Sequence, residues 1–129
     1  MYEEDIELAK KARLNAYSPY SNFQVGAALR TKKGNVYLGC NIENHGIQGI
    51  CAERTAFAKA ISKGEREFEQ ITIVGAKKGE EPTDRCMPCG YCRQFIREFV
   101  DDDFKIYVVN KENKIEEYSI SELLPHSFK

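Results

Sequence analysis

Cys51, Cys89 and Cys92 are the residues whose types and spacing most plainly promise chemistry, and Glu53 stands two residues beyond the first of them. In Pro88-Cys-Gly-Tyr-Cys92 the two cysteines are three apart at the start of a predicted helix, which puts both thiols on its first turn. Cys51 opens a second predicted helix. The dipole and free amides of a helix N-terminus lower thiol pKa values and favour negative sulfur. Three such thiolates suit a divalent cation, and zinc is the ion that thiolates and tetrahedral geometry select. Three protein ligands leave a fourth position for water, the mark of a catalytic rather than a structural zinc. The ion lowers the pKa of that water towards neutrality. Helical side chains lean towards the N-terminus, so the Glu53 carboxylate can reach the space before the metal as a general acid/base rather than a ligand.

The other cysteines leave alternatives open. Cys89-Gly-Tyr-Cys92 has the form of a redox dithiol, although a thioredoxin-like fold would want a later proline near the site, and only Pro125 follows. Cys40 or Cys86 could complete a four-cysteine structural site, and Cys86-Met-Pro-Cys89 is itself a second C-x-x-C. Cys86 reads as a bystander thiol and Cys40 as a core residue of a strand. His45 lies in the loop before Cys51 and reads as a loop residue without a catalytic role, because three thiolates already satisfy a catalytic zinc.

The elements that must position these groups are legible in the hydrophobic pattern. Residues 3–16 read as a helix with Ile6, Leu8, Ala9, Ala12 and Ala16 apolar, ended by Ser18-Pro19. Residues 24–30 and 36–40 read as a hairpin about Lys33-Gly-Asn35. Residues 42–50 read as a loop, and 51–63 as a helix with Gly64 at its cap. The run 71–75 has the apolar character of a buried strand, and 77–85 is a polar loop. A helix at 89–100, a strand at 105–110, a fifth strand at 114–118 and a helical turn at 121–124 complete the chain. Strand–helix–strand units favour parallel pairing, whereas the hairpin must be antiparallel. The expectation is one layered α/β domain over 1–129, with a mixed sheet covered by helices.

Composition narrows the function. The hydrophobic fraction is 42% and the charged fraction 30%, which suits a globular domain rather than a disordered chain. The net charge is -1 and lysines are interleaved with glutamates, so a small-molecule substrate is expected rather than nucleic acid. No apolar run approaches a membrane span, and Met1–Lys10, with Glu3, Glu4, Asp5 and Glu7, lacks a secretory pattern. A cytoplasmic protein with reduced thiols is the expectation.

Taken together, these residues resemble the small homotetrameric cytidine deaminases. The resemblance lies in Ser18-Pro-Tyr-Ser-Asn-Phe-Gln-Val-Gly-Ala-Ala-Leu29, Gly39-Cys-Asn-Ile-Glu-Asn44, Cys51-Ala-Glu-Arg-Thr-Ala56, Pro88-Cys-Gly-Tyr-Cys-Arg-Gln94 and Glu122-Leu-Leu-Pro-His-Ser-Phe128. A Cys₃ zinc site with a non-ligating Glu is a known pattern of zinc deaminases. The resemblance implies a three-layer α/β/α fold with a mixed five-stranded sheet. It implies deamination of free cytidine and deoxycytidine, as in pyrimidine salvage, in a homotetramer whose sites are completed by neighbouring subunits. Cys51, Cys89 and Cys92 would bind Zn²⁺, and Glu53 would carry protons from water to N3 and then to the leaving amine. Asn41 and Glu43 match residues that bind the ribose 3′-hydroxyl. Ala52 matches a backbone contact to the base, and Phe23 an aromatic that packs on the pyrimidine. Phe128 matches a C-terminal aromatic that reaches a neighbouring site. Arg54 matches an arginine that offsets the charge of three thiolates.

Between Asn44 and Cys51 the chain departs from that pattern. His45-Gly-Ile-Gln-Gly-Ile50 is one residue short and lacks the usual central tyrosine. The departure keeps in view a related deaminase for modified cytosine nucleosides; a non-catalytic structural-zinc module is a separate alternative of a different class.

Overall fold

The computed structural model describes residues 2–82, 85–110 and 114–129. Residues 83 and 84 of the polar loop read at 77–85 lie outside the described residues. The elements, in chain order, are α1 (Glu3–Arg13), β1 (Phe23–Thr31), β2 (Val36–Cys40), α2 (Ala52–Ser62), β3 (Phe68–Lys77), α3 (Gly90–Phe99), β4 (Lys105–Val109), β5 (Ile115–Ser119) and α4 (Ile120–Leu123). The sheet runs β2-β1-β3-β4-β5. β1 is antiparallel to both β2 and β3, β3 and β4 are parallel, and β4 and β5 are antiparallel. The mixed five-stranded sheet read from the sequence is the one observed.

Alternation along β1 sends successive side chains to opposite layers. Ala27 and Leu29 join Ala56, Phe57, Ile71, Ile73, Ile96 and Ile106 in a core beneath α2 and α3. Ala28 turns the other way and packs with Ala9, Val74 and Val109 under α1. Two strand glycines admit the helices. A Cβ on Gly26 would lie 2.0 Å from the Ala9 carbonyl of α1, and one on Gly39 would lie 2.2 Å from the Ala52 carbonyl of α2. Neither contact is tolerable for a real side chain.

Two boundaries moved for identifiable reasons. α1 stops at Arg13 rather than residue 16, because Leu14, Asn15 and Ala16 bond back three residues, to Lys11, Ala12 and Arg13. The tightened turn leaves Leu14 64% exposed, so the apolar stripe ends where burial does. β3 begins at Phe68, three residues before its apolar run, because buried Gln70 finds a partner: its side-chain amide donates to Asp5 at 3.4 Å. Asp5 also accepts from the Arg30 guanidinium at 2.6 and 3.1 Å. This buried pair ties α1 to the sheet. α4 starts at Ile120 on a capping box between Ser119 and Glu122.

The topology positions the site. β2 and β3 both run opposite to β1, so their C-terminal ends emerge at the same end of the sheet. The segments leading to α2 and α3 start there, and ligand sites of layered α/β sheets favour that end.

Candidate active site

Cys51 and Cys89 are the N-cap residues of α2 and α3, with extended backbones and no side-chain cap bond. Their sulfurs are therefore not spent on the helix termini. Cys92 lies one turn into α3. The three Sγ atoms all fall within 4.8 Å of one another. Cys92 is buried, Cys51 half-buried and Cys89 exposed, so the cluster opens to solvent on one side. Among the described residues this is the one group of three or more His, Cys, Asp or Glu that could hold a metal. Three soft sulfurs on two helix starts fit a zinc ion. Cys40 and Cys86 stand outside the group, as does His45.

The local electrostatics favour thiolate. Cys51 accepts a hydrogen bond from Cys92 and faces Arg54, and its thiol is lowered to about 5 against the opposing effect of burial. Cys92, the donor in that pair, is pushed up. Burial pushes the Cys86 thiol up to about 12, with the charges of Glu53 and Cys51 adding to it, which keeps it protonated. Arg54 Nη2 lies 4.0 Å from Cys51 Sγ and donates to the Gly49 carbonyl at 3.3 Å. Its guanidinium stacks 4.4 Å above the Tyr91 ring, and its buried Nε has no hydrogen-bond partner among the described residues. A cation held this way favours the ionised form of the Cys51 sulfur.

Glu53, in the first turn of α2, is 4% exposed. Burial is the main reason its carboxyl is raised to about 7, and the Cys51 charge adds to it. A carboxyl raised in this way, in the helical turn that follows Cys51, can exchange protons near neutral pH.

Beside the cluster lies a cleft of about 550 Å³ whose walls include Tyr20, Asn41, Glu43, His45, Gly49 and Cys51. Of the residues expected to meet substrate, Asn41 and Glu43 line it. Both also hold the local fold. Asn41 accepts from the Val25 amide at 2.8 Å and donates to the Phe23 carbonyl at 2.9 Å. Glu43 accepts from the amides of Tyr20 and Ser21 and from the Ser21 hydroxyl, and that hydroxyl holds its carboxyl below the ordinary value. The other three expected contacts do not line this cleft. Phe23 is half-buried and packs with Cys86 over Gly75, where a Cβ would meet Cys86 Sγ at 2.7 Å and Phe23 Cε2 at 2.9 Å. The Ala52 methyl is fully buried. Phe128 is 75% exposed, in a separate groove on α3 with Tyr91, Gln94 and Phe99.

Sequence reasoning overlooked Tyr20 and Arg93 and read His45 as a loop residue without a catalytic role. Tyr20 and His45 form part of the cleft wall, with Tyr20 Oη 3.3 Å from His45 Nδ1. Arg93 donates to the carbonyls of Pro88, at 2.7 Å, and Leu123, at 2.9 Å, and so anchors the turn that carries Cys89. Tyr20 and Arg93 stand inside the quoted motifs, where a closer reading would have found them. His45 stood out in the sequence for its place before Cys51, where three thiolates left it no task.

Known proteins share this arrangement. The family model for the cytidine and deoxycytidylate deaminase zinc-binding region matches residues 2–108. A cytidine deaminase of Sporosarcina psychrophila is 46% identical over 127 residues, covering 98% of this chain and 90% of that protein. A blasticidin-S deaminase of Bacillus cereus is more distant, at 33% identity over 130 residues, covering 95% and 91%. The crystal structure of a cytidine deaminase from Burkholderia pseudomallei superposes with a TM-score of 0.89 at 40% identity, covering 99% of each chain. On the match over most of its length and on the three-thiol site, the chain belongs to the zinc-binding cytidine and deoxycytidylate deaminase family.

Proposed function

We propose that this protein hydrolyses free cytidine and deoxycytidine to the uracil nucleosides and ammonia, within pyrimidine salvage in the cytoplasm. The observation that carries the reading is a buried carboxyl, Glu53, raised to about 7 beside the Cys51, Cys89 and Cys92 sulfurs. A structural zinc module gives that carboxyl no task, and burial disfavours its ionised form.

Cys51, Cys89 and Cys92 would hold the zinc ion. When bound, the ion supplies Lewis acidity that lowers the pKa of water at its open position. Glu53 is the proton carrier. It accepts a proton from the attacking water and delivers it to N3 of the pyrimidine, then takes the second proton from the new C4 hydroxyl and delivers it to the exocyclic nitrogen, which leaves as ammonia. Each transfer reverses the last, so the residue starts the next cycle in its original state. Arg54 offsets the charge of the sulfurs. The Ala52 backbone and the Phe23 ring position the base. Asn41 and Glu43 accept the 3′ edge of the sugar, and a carboxylate there repels a 3′-phosphate, which favours free nucleosides over polynucleotides.

The deciding experiment follows cytidine deamination by its ultraviolet change in zinc-loaded wild type and Glu53→Gln, with metal content measured in both. The expected result is equal zinc and a loss of kcat of at least about 10²-fold in the variant, in the range of general acid–base contributions. Equal turnover by both would remove Glu53 from the reaction. Zinc with no turnover by wild type would return the protein to the structural-zinc reading.

A further inference from the structure

Arg54 and Tyr91 join the two helices that carry the sulfurs. Arg54 stands in the first turn of α2, the helix that Cys51 caps, and Tyr91 in the first turn of α3, between Cys89 and Cys92. The guanidinium carbon lies 4.4 Å from the centroid of the tyrosine ring. This contact crosses the same gap between helices that a metal held by Cys51, Cys89 and Cys92 has to bridge.

Hydrogen bonds alone hold the guanidinium weakly. Nη2 donates to the Gly49 carbonyl at 3.3 Å and lies 4.0 Å from Cys51 Sγ, a long reach even for sulfur. Nε is buried without a partner among the described residues. A long arginine side chain loses rotamer freedom when it is fixed, so something else must hold it. A planar cation lying on an aromatic face keeps its N–H edge free for bonds in its own plane. The Tyr91 ring supplies that face, and the edge is left for Gly49 and Cys51. Tyr91 is 67% exposed, so its ring is not spent on the core, although it also lines the groove that holds Phe128.

We propose that Tyr91 is a positioning residue of the zinc site: its ring holds the Arg54 guanidinium against the Cys51 sulfur, so that zinc retention depends on a side chain that is not a ligand. Sulfurs bind a metal as thiolates, and a cation fixed beside Cys51 therefore stabilises the loaded site more than the empty one. The inference concerns the metal and not the nucleoside, so it is tested apart from the substrate reading.

Zinc affinity, measured by competition with a chromogenic chelator, decides the matter in wild type, Tyr91→Phe, Tyr91→Leu and Tyr91→Ala. Tyr91→Ala is expected to weaken zinc binding about fivefold, the size of one cation–π contact. Tyr91→Leu keeps apolar bulk without a π face and should lose as much. Tyr91→Phe keeps the ring and should bind zinc as wild type does. In an Arg54→Met background, Tyr91→Ala should cost nothing further, because the ring then has no cation to hold. Wild-type affinity in Tyr91→Leu would make Tyr91 a packing residue, and wild-type affinity in Tyr91→Ala would remove it from the site. A loss in Tyr91→Phe as large as in Tyr91→Ala would move the effect to the hydroxyl, and equal costs with and without Arg54 would separate the ring from the guanidinium. Any of these four results overturns the proposal and leaves the deaminase reading intact. Should Arg54→Met not fold, as circular dichroism would show, the three Tyr91 variants still decide between stacking and packing.

Discussion

Burial of the Glu53 carboxyl carries a cost in stability. Its carboxyl is protonated in the fold up to about pH 7 but ionises near 4.5 in the unfolded chain. The folded state therefore binds the extra proton between those values, and stability falls as pH rises through that window. Below 4.5 both states are protonated and the cost vanishes; above 7 it is constant, at roughly 3 kcal/mol for a shift from 4.5 to about 7. In metal-free protein, Glu53→Gln should thus be more stable than wild type at pH 8 and about equal at pH 4. Denaturant melts of both proteins with chelator present measure this. A variant that gained nothing at pH 8 would show that the carboxyl is not destabilised by its burial.

At the scale of elements, the site depends on how closely α2 can approach β2. Gly39 permits that approach, and α2 carries Glu53 in its first turn with Cys51 capping it. In Gly39→Ala the new methyl would meet the Ala52 carbonyl at 2.2 Å and the Ala56 amide at 2.6 Å, so the helix has to move. Overpacking of this kind costs about 1–3 kcal/mol. Gly26→Ala meets the same obstruction from the Ala9 carbonyl and the Arg13 amide of α1, on the opposite layer. Both variants should lose similar stability by thermal melts. Only Gly39→Ala should also lose zinc affinity and turnover, because only α2 bears site residues. Equal zinc retention by the two would mean that the thiol cluster tolerates movement of its helix.

At the scale of the molecule, one of the three expected contacts that lie outside the chain's own cleft sits in a separate groove. Phe128 is exposed on α3, its backbone carbonyl accepting from Gln94 at 3.1 Å. An exposed aromatic in an apolar groove suits contact with a second chain. In the homotetramer that the family resemblance implies, it would meet a neighbour's site. Light scattering should then give a mass near four times 14.8 kDa. Phe128→Ala should lower kcat/KM by about tenfold with the monomer fold unchanged by circular dichroism, a truncation cost in the range of interface hot spots. A fully active monomer would separate this residue from catalysis.

The local features were legible because they are local. Helix periodicity from Ala52 to Ile61, the hairpin around Gly34, the glycine cap at Gly64 (φ 96°) and the C-x-x-C on a helix start all depend on residues a few positions apart. Chemical type alone selected zinc, and the pattern of Cys51, Glu53, Cys89 and Cys92 placed the chain among zinc deaminases before any distance was measured. Polar burial was harder to see: Asp5, Arg30 and Gln70 satisfy one another from three separate elements, so each looked like a surface residue in isolation. The meeting of Cys51 with Cys89 across thirty-seven intervening residues was decided by the tertiary structure. β1 lies between β2 and β3 and runs against both, which delivers the starts of α2 and α3 to one end of the sheet. The same three-dimensional arrangement buries Glu53, raises its pKa, and folds the loop 42–50 so that Tyr20 and His45 close the cleft. Charge and spacing along the chain determine which groups are available, but their proton affinities and partners depend on the solvent excluded and the neighbours brought near by the fold.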